Sequence, residues 1–262
     1  MRQATPALDR PCPGWQADLP GPNIFISKAI GEPPKINNQD NIFLEVSRNI
    51  SSRRNITLAL GVAQFIASIF GLQWSLEGLL LINTYGIDAE GTAILILAAL
   101  IFVLAPIFLL APAVLPPRDC PIRFNRMRGR VYVYEFKKNW AIFPTRWRVT
   151  THSFAWEDLR AELWRQRAFT PQGGLIIAWG VSIAVVKSNT NEVINRFPLS
   201  VGQDEGSSWD YVRTYMQHGP AALPPIDTVN DPNEVPSYSL ALRLAPRVRW
   251  PEQMDAESRS GI

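Results

Sequence analysis

Cysteine and histidine, two residue types from which metal centres are often built, are scarce in this chain: each occurs twice in 262 residues. A zinc site needs three or four such ligands, usually at short spacing, whereas Cys12 is far from Cys120 and His152 is far from His218. The sequence also lacks a phosphate loop ending in GKS or GKT and a nucleophile elbow around serine. We therefore expect no metal, no cofactor, no catalytic residues and no enzymatic activity.

Charged residues are absent from two long apolar segments, 56–76 and 92–115. As helices they would measure roughly 32 and 36 Å at about 1.5 Å per residue, enough to cross a hydrocarbon core of about 30 Å. A charge at the centre of a span costs about 2.5 to 3.5 kcal/mol on insertion scales, so uncharged segments are typical of membrane helices. The sequence predicts a transmembrane hairpin; the alternative is two buried core helices of a soluble protein.

Positive charge is also absent from the connector 77–91, which carries acidic residues but no lysine or arginine. Arginines stand instead before the first span, at Arg48, Arg53 and Arg54, and again after the second span from Arg118 onward. By the positive-inside rule, this asymmetry places the connector outside and both termini in the cytoplasm. The net charge of +3 is too small to indicate nucleic-acid binding by the whole protein.

Five arginines follow the second span closely and are the candidate binding residues for anionic lipid head groups. They are Arg118, Arg123, Arg126, Arg128 and Arg130. A basic residue near an anionic membrane surface contributes about 1 kcal/mol to membrane attraction. The alternative is that these arginines do no more than set the orientation of the hairpin.

After the spans, the hydrophobic pattern changes from helical to alternating. Residues 121–136 predict a β-hairpin with its turn at 125–129, and strands are also expected around 147–164 and 192–200. The segment 173–188 predicts one strand, or two strands joined near Gly180. Strands at this spacing indicate a small antiparallel sheet or barrel.

An amphipathic helix is predicted for 206–219, with Ser207 or Ser208 as its N-cap and Gly219 as its end. Trp209 lies on the apolar face of this helix, which should pack on the strands. Several strands closed by one C-terminal helix have the outline of a PH-like antiparallel β-barrel or sheet. The predicted fold class is therefore an α+β membrane protein with a two-helix hairpin followed by such a domain.

Composition and pattern divide the chain into five parts. They are a Pro-rich extended N-terminal segment (1–40), a short interfacial helix (41–55), the transmembrane hairpin (56–115), a cytoplasmic PH-like β domain (116–225) and an extended tail (226–262). Within the first part, Trp15 is the residue expected to dock on the rest of the protein. In the tail, an apolar alternation at 238–244 indicates one added strand.

Tryptophans and clustered carboxylates have both a structural and a functional interpretation. Glu157, Asp158 and Glu162 could form the acid and base of a membrane-bound hydrolase, but adjacent carboxylates more often form a solvated face. Tryptophans in the β domain could fill its core, which we expect for most of them, or form a partner-binding surface. They are Trp140, Trp147, Trp156, Trp164, Trp179 and Trp209.

Three sequence stretches after the spans resemble an uncharacterised bacterial family of two-span inner-membrane proteins with a cytoplasmic β-rich domain. They are PIRFNRMRGRVYVYEF, a Trp-rich middle with FAWEDLRAEL, and WDYVRTYMQHGP. The resemblance covers roughly residues 15–224 and carries no established activity or catalytic residue. Members are often encoded near type VI secretion and toxin genes, so the resemblance implies an inner-membrane location and a role in interbacterial competition.

The combined expectation is a non-enzymatic, multi-pass protein of the bacterial inner membrane, in contact with the lipid bilayer, whose cytoplasmic domain binds a protein partner. The resemblance implies that this partner is a toxin or a secretion component and that the role is immunity or accessory. The alternative is a homo-oligomer whose hairpins line a pore or transport path. Against that alternative, the two spans carry no ionisable side chain.

Overall fold

Two long helices and a short turn between them form the apolar hairpin of the computed structural model, which describes residues 5–25, 33–48, 54–86, 88–138, 147–169, 174–200, 203–226 and 228–261. Helix α1 is Arg54–Leu80, α2 is Ile82–Tyr85 and α3 is Ala89–Val114. Both predicted apolar helices are confirmed. Asp88 caps α3 by accepting a hydrogen bond of 2.8 Å from the Gly91 N–H.

Both α1 and α3 are long and apolar enough to cross a membrane, and only 11% of an apolar 18-residue stretch in each helix is buried. Large side chains such as Phe70 and Ile101 are more than half exposed. The alternative of two buried core helices is therefore wrong for this structure, since core helices bury their apolar side chains. An apolar surface of this size requires another apolar phase or a partner to cover it.

Small residues line the seam between α1 and α3. Gly61, Ser68 and Ser75 are buried there at intervals of seven residues. A Cβ atom at Gly61 would lie 2.6 Å from Leu110 Cδ2, and one at Gly71 would collide with the ring of Phe102. Helix pairs in membranes often use small residues in this way because close backbone approach gives extensive van der Waals contact.

The described residues form nine strands in two antiparallel sheets. The strands are β1 (Trp15–Asp18), β2 (Ile36–Gln39), β3 (Phe43–Val46), β4 (Ile122–Asn125), β5 (Arg130–Lys137), β6 (Arg148–Ala155), β7 (Leu159–Phe169), β8 (Leu175–Val186) and β9 (Val193–Pro198). One sheet has the order β2-β3-β4-β5-β6 and the other β1-β7-β8-β9. Over the described residues these sheets remain separate and form no closed barrel.

The helical hairpin is inserted between two neighbouring strands. Strand β3 precedes α1, β4 follows α3, and the two pair antiparallel with Val46 opposite Ile122. The chain therefore leaves the five-stranded sheet at one point, passes through both long helices, and returns beside its point of departure. As a result, residues from before the hairpin are part of the same folded unit as residues after it.

One core joins both sheets to helix α4 (Ser207–His218). Fully buried side chains come from the five-stranded sheet, as with Phe124, from the four-stranded sheet, as with Ile183, and from α4, as with Trp209. A 3₁₀ turn at Trp156–Asp158 carries the chain from β6 to β7 and adds the ring of Trp156 to this core. The predicted hairpin at 121–136 and the predicted helix at 206–219 are both confirmed.

Three predicted segments differ from the structure. The interfacial helix expected within 41–55 is wrong, because β3 occupies Phe43–Val46 and buries all four of its residues between β2 and β4. The N-terminal part is not merely extended, since it contributes β1 and β2. Trp15 docks as expected, opposite Trp164 of β7. A short apolar run fits a helix or a buried strand equally well, so its neighbours decide.

The C-terminal tail is folded against the rest of the chain. It contains α5 (Leu240–Leu244), where a strand was expected, and α6 (Glu252–Arg259). Helix α5 contacts α1 and α3, and its start is held by Asn55 Oδ1, which accepts from the Ala241 N–H at 3.2 Å. Helix α6 packs on β4 and β5. The expectation of an extended tail over 226–262 is therefore wrong.

The start of α4 is capped by a residue outside the predicted pair. Gly206 occupies the N-cap position, and the carboxylate of Asp204 accepts from the Gly206 N–H at 2.9 Å and from the hydroxyls of Ser200, Ser207 and Ser208. Burial opposes ionisation of Asp204, but the hydroxyl and amide donors outweigh it and lower the pKa of the carboxyl below its usual range.

We expect Gly71→Leu to destabilise the helical hairpin, because the new side chain must displace Phe102 from the seam. Overpacking of this kind costs about 1 to 3 kcal/mol. Thermal unfolding of the detergent-solubilised protein measures the effect. Ala67→Leu is the matched control, since Ala67 is exposed on the outer side of α1; equal midpoints for the two variants would contradict the tight seam.

We expect Asp204→Ala to lower the free energy of unfolding by about 2 kcal/mol near neutral pH, because the start of α4 loses its acceptor. The folded-state pKa is depressed, so this stabilisation is complete above the unfolded-state pKa near 3.8 and is lost as the pH falls through the folded-state pKa. Denaturant unfolding of both proteins at pH 7 and in strong acid measures the difference. The exposed Glu205→Ala serves as control, and a pH-independent difference would contradict the assignment.

Candidate functional site

The arginines predicted to bind lipid have separate roles in the structure. Arg123 is 3% exposed: it forms an ion pair with buried Glu45, donates to Asp255 Oδ1 at 2.6 Å, and lies over the Trp250 ring at 4.5 Å from its centroid. This cluster connects β3, β4 and α6. Arg123 therefore holds the C-terminal tail on the sheet and does not face a lipid surface.

The other four arginines of that group also contact different parts of the protein. Arg118 donates to the carbonyl oxygens of Leu242 and Asn233, in the tail, at 3.0 and 2.7 Å. Arg126 lies against Gly219 at the end of α4, where a cation suits the helix dipole. Two more bond with hydroxyl groups at 2.9 and 3.0 Å, namely Arg128 with Ser260 and Arg130 with Ser153. The structure does not bring these arginines together as one exposed patch.

A cleft of about 290 Å³ lies at the base of the helical hairpin, where α1 begins and α3 ends, and we call it the basic cleft. Its polar lining includes Arg48, Arg54 and Lys138, and its apolar lining includes Pro112 and Phe136. These cations come from three segments, the end of β3, the start of α1 and the end of β5. In the sequence, Arg48 and Arg54 indicate only the orientation of the hairpin in the membrane. No sequence pattern connects either residue to Lys138.

Arg48 and Arg54 are held by backbone carbonyls. Arg48 donates to the carbonyl oxygens of Cys120, Tyr134 and Pro198 at 2.6, 2.7 and 3.0 Å. Arg54 donates to the carbonyl oxygens of Pro116 and Pro117 at 3.3 and 2.8 Å, which ties the start of α1 to the chain leaving α3. These bonds position both guanidinium groups without neutralising them.

Burial dominates the electrostatics of the basic cleft. Burial lowers the pKa of Arg48, and burial together with the nearby positive Arg54 lowers the pKa of Lys138. Burial raises the pKa of the Cys120 thiol, so this group stays protonated at neutral pH. Each shift shows that the charged form is poorly solvated there.

A second cleft, of about 580 Å³, is lined by Trp164 of β7 and Trp179 of β8, and we call it the tryptophan cleft. Leu163, Arg165 and Glu205 also line it. The structure shows which tryptophans fill the core and which line this cleft, a division that their positions in the sequence do not reveal. Three of them are buried, namely Trp147, Trp156 and Trp209. Trp140 lies outside the described residues.

Beyond the tryptophan cleft, β7 and β8 continue as a two-stranded ribbon, defined here as 165–169 and 175–179. Its apolar side chains include Phe169 and Leu175, which are 75% and 52% exposed. Strand β1 pairs with β7 only as far as Trp164, and β9 pairs with β8 only from Ser182 onward. In the described part of the chain, the outer edges of the ribbon therefore have no strand neighbour at 166–169 and 175–179.

The carboxylates considered for acid–base chemistry do not share one environment. Glu162 is fully buried and pairs with Arg196, whereas Glu157 is exposed in the 3₁₀ turn. Asp158 accepts from the Ser188 hydroxyl at 3.0 Å. Each side chain therefore has a structural or solvated role, and the geometry shows no paired acid and base at these three positions.

The two histidines are also separated. His152 stacks on Phe154 with ring centroids 5.9 Å apart. His218 meets Phe25 edge-on at 5.6 Å. Each histidine packs on an aromatic ring in a different part of the protein.

Comparison with known protein families gives a match over the C-terminal part of the chain. A sequence profile described as a family of unknown function (DUF6708) matches residues 99–261, which is more than half of the chain. The match runs from within α3 to the end of α6. No curated protein and no solved structure matches the chain.

We expect Glu45→Gln to lower the free energy of unfolding by about 3 kcal/mol, because it leaves the buried Arg123 without its nearest countercharge. Denaturant unfolding followed by the fluorescence of Trp250 and its neighbours measures this loss. Glu157→Gln is the matched control, since that carboxylate is exposed. Equal stability of the two variants would contradict a stabilising role for the ion pair between Glu45 and Arg123.

Proposed function

The chain belongs to the DUF6708 family, and we propose that it is a non-enzymatic protein of the bacterial inner membrane whose cytoplasmic β unit binds a protein partner. Support for the anchor comes from the length and exposed apolar surface of α1 and α3. Support for partner binding comes from the tryptophan cleft and the ribbon beside it. A PH-like architecture of this unit stays part of the proposal, and by itself it assigns no ligand.

The helical hairpin suits an anchor better than a pore. The facing sides of α1 and α3 are closed by small residues in direct contact with the partner helix, as at Gly61 and Gly71. Their outer sides carry large apolar side chains such as Phe70 and Ile101. Lipid contact stabilises such surfaces, whereas a water-filled path needs polar or charged lining.

The ribbon has the properties of a strand-addition site. Unpaired strand edges are a liability that folded proteins usually cover or blunt. Here the edges lie beside exposed apolar residues such as Phe169 and beside a cleft with two tryptophans. An extended partner segment could pair with the edge through main-chain hydrogen bonds while one of its side chains enters the tryptophan cleft. The ribbon and its cleft are the observation that carries this proposal.

The partner class that the family resemblance implies is a toxin or a secretion component. A cytoplasmic domain held at the inner membrane is well placed to capture a toxin that acts at or enters through that membrane. In that form, the protein has an immunity or accessory role. Both termini and the ribbon are then on the cytoplasmic side, as the arginines flanking the hairpin favour.

We expect affinity purification of the full chain in mild detergent to recover a reproducible partner that Trp179→Ala and Phe169→Ser each weaken at least tenfold. Truncation of a central interface aromatic commonly costs 2 kcal/mol or more, which corresponds to a loss of this size. Mass spectrometry of the recovered proteins provides the measurement. Tyr238→Ala is the matched control, because Tyr238 is an aromatic residue, 80% exposed, on the tail.

Recovery of the same amount of partner with both ribbon variants as with the wild type would contradict the proposed binding surface. Expression of the recovered protein in cells that lack this gene then tests the immunity role. Killing that is reversed by the wild-type chain, but not by Trp179→Ala, identifies the partner as a toxin neutralised through this surface. Harmless expression contradicts the immunity role and leaves the accessory role.

A further inference from the structure

We propose that the basic cleft binds the phosphate of an anionic lipid head group. The site consists of Arg48, Arg54 and Lys138 around a cleft with apolar walls. This inference rests on the membrane anchoring proposed above. The lipid-binding role that the sequence analysis gave to the five arginines after the second span is assigned here to a different set of residues.

The first argument is position. Arg54 begins α1 and stands two residues before the apolar segment at 56–76, while Pro116 follows directly after the apolar segment at 92–115. If the two apolar segments span the hydrocarbon core, the basic cleft lies at the level of the cytoplasmic head groups. A lipid beside the helices can therefore reach the cleft without leaving the bilayer.

The second argument is unbalanced charge. In the described part of the chain, no carboxylate lies within ion-pair distance of Arg48, Arg54 or Lys138. Arg48 and Arg54 are half-buried. Carbonyl oxygens satisfy their hydrogen-bond donors but do not cancel their charge, and withdrawing a cation from water without a countercharge is costly. An anion in the cleft would supply that countercharge.

Two carboxylates, Asp119 and Glu135, also line the cleft, and each has partners within the protein. Asp119 accepts from the backbone N–H groups of Arg48 and Cys120 at 2.9 and 2.7 Å and from the Asn37 amide at 2.9 Å. Glu135 is paired with Lys137 at 3.8 Å. Arg118, which also lines the cleft, donates to carbonyl oxygens of the tail. Four cationic side chains against two carboxylates therefore leave the lining of the cleft with an excess of positive charge for an external anion.

The third argument is chemical fit. Guanidinium groups donate in a planar fork that matches phosphate oxygens, and a lysine ammonium adds a point charge. Arg54 uses two of its donors on carbonyls and retains others. The apolar walls at Pro112 and Phe136 suit the glycerol and the first methylene groups of a lipid better than a fully hydrated free ion.

The test reconstitutes the full chain in vesicles of phosphatidylcholine with or without phosphatidylglycerol and extracts it for native mass spectrometry. The wild type should retain phosphatidylglycerol in preference to phosphatidylcholine. Lys138→Gln should lower that retention on the order of fivefold, the equivalent of about 1 kcal/mol per basic residue. Lys138→Arg should keep it. Lys187→Gln, at an exposed lysine near β9, should leave it unchanged.

Equal retention of phosphatidylglycerol by the wild type and by Lys138→Gln would overturn the proposal, provided that circular dichroism shows both proteins folded. Inorganic phosphate is the second probe. Failure of millimolar phosphate to displace the lipid supports a lipid site, whereas displacement of the lipid at that concentration overturns it in favour of a free-phosphate site. Alkaline carbonate extraction distinguishes failure of the lipid site from failure of the membrane anchor. Release of the protein from the vesicles by this treatment contradicts the anchor itself.

Discussion

The antiparallel pairing of β3 with β4 is the contact on which the arrangement of this protein depends. These strands are neighbours in the five-stranded sheet, yet both long helices lie between them in the chain. Because antiparallel neighbours place the end of one strand beside the start of the next, the base of α1 must lie beside the base of α3. The orientation of the hairpin on the β unit is therefore set by backbone hydrogen bonds.

One buried and two half-buried arginines reinforce this junction. Arg54 connects the start of α1 to the chain after α3, and Arg123 connects β3 and β4 to α6. Arg48 connects the chain after β3 to β5, to β9 and to the segment just before β4. Buried charges of this kind add little net stability, but their loss is costly, so they favour one arrangement over others. The same property makes Arg48 and Arg54 suitable for recognising an anion, since both are positioned before any ligand arrives.

The local sequence pattern was sufficient to predict the elements whose conformation depends little on distant contacts. The two apolar helices, the hairpin around Gly129 and the amphipathic helix α4 were all predictable, because each has a regular period and recognisable end signals. The elements that were missed, β1, β2, β3, α5 and α6, are short segments. Their conformation is selected by partners far away in the chain, such as β4 for β3 and the helix bases for α5.

The candidate sites show the same contrast between features that the sequence predicts and features that only the tertiary structure reveals. Composition alone showed that the chain has too few cysteines and histidines for an ordinary metal centre, that two segments can span a membrane, and that positive charge flanks them on one side. The sequence could not show which arginines are buried, because Arg123 and Arg128 look alike in a basic stretch and differ only in what packs on them. Likewise, tertiary structure alone decided that Trp209 fills the core while Trp164 and Trp179 line a cleft, and that Arg48 and Arg54 meet Lys138. Burial and proximity depend on contacts between distant segments, and a local pattern carries no record of those contacts.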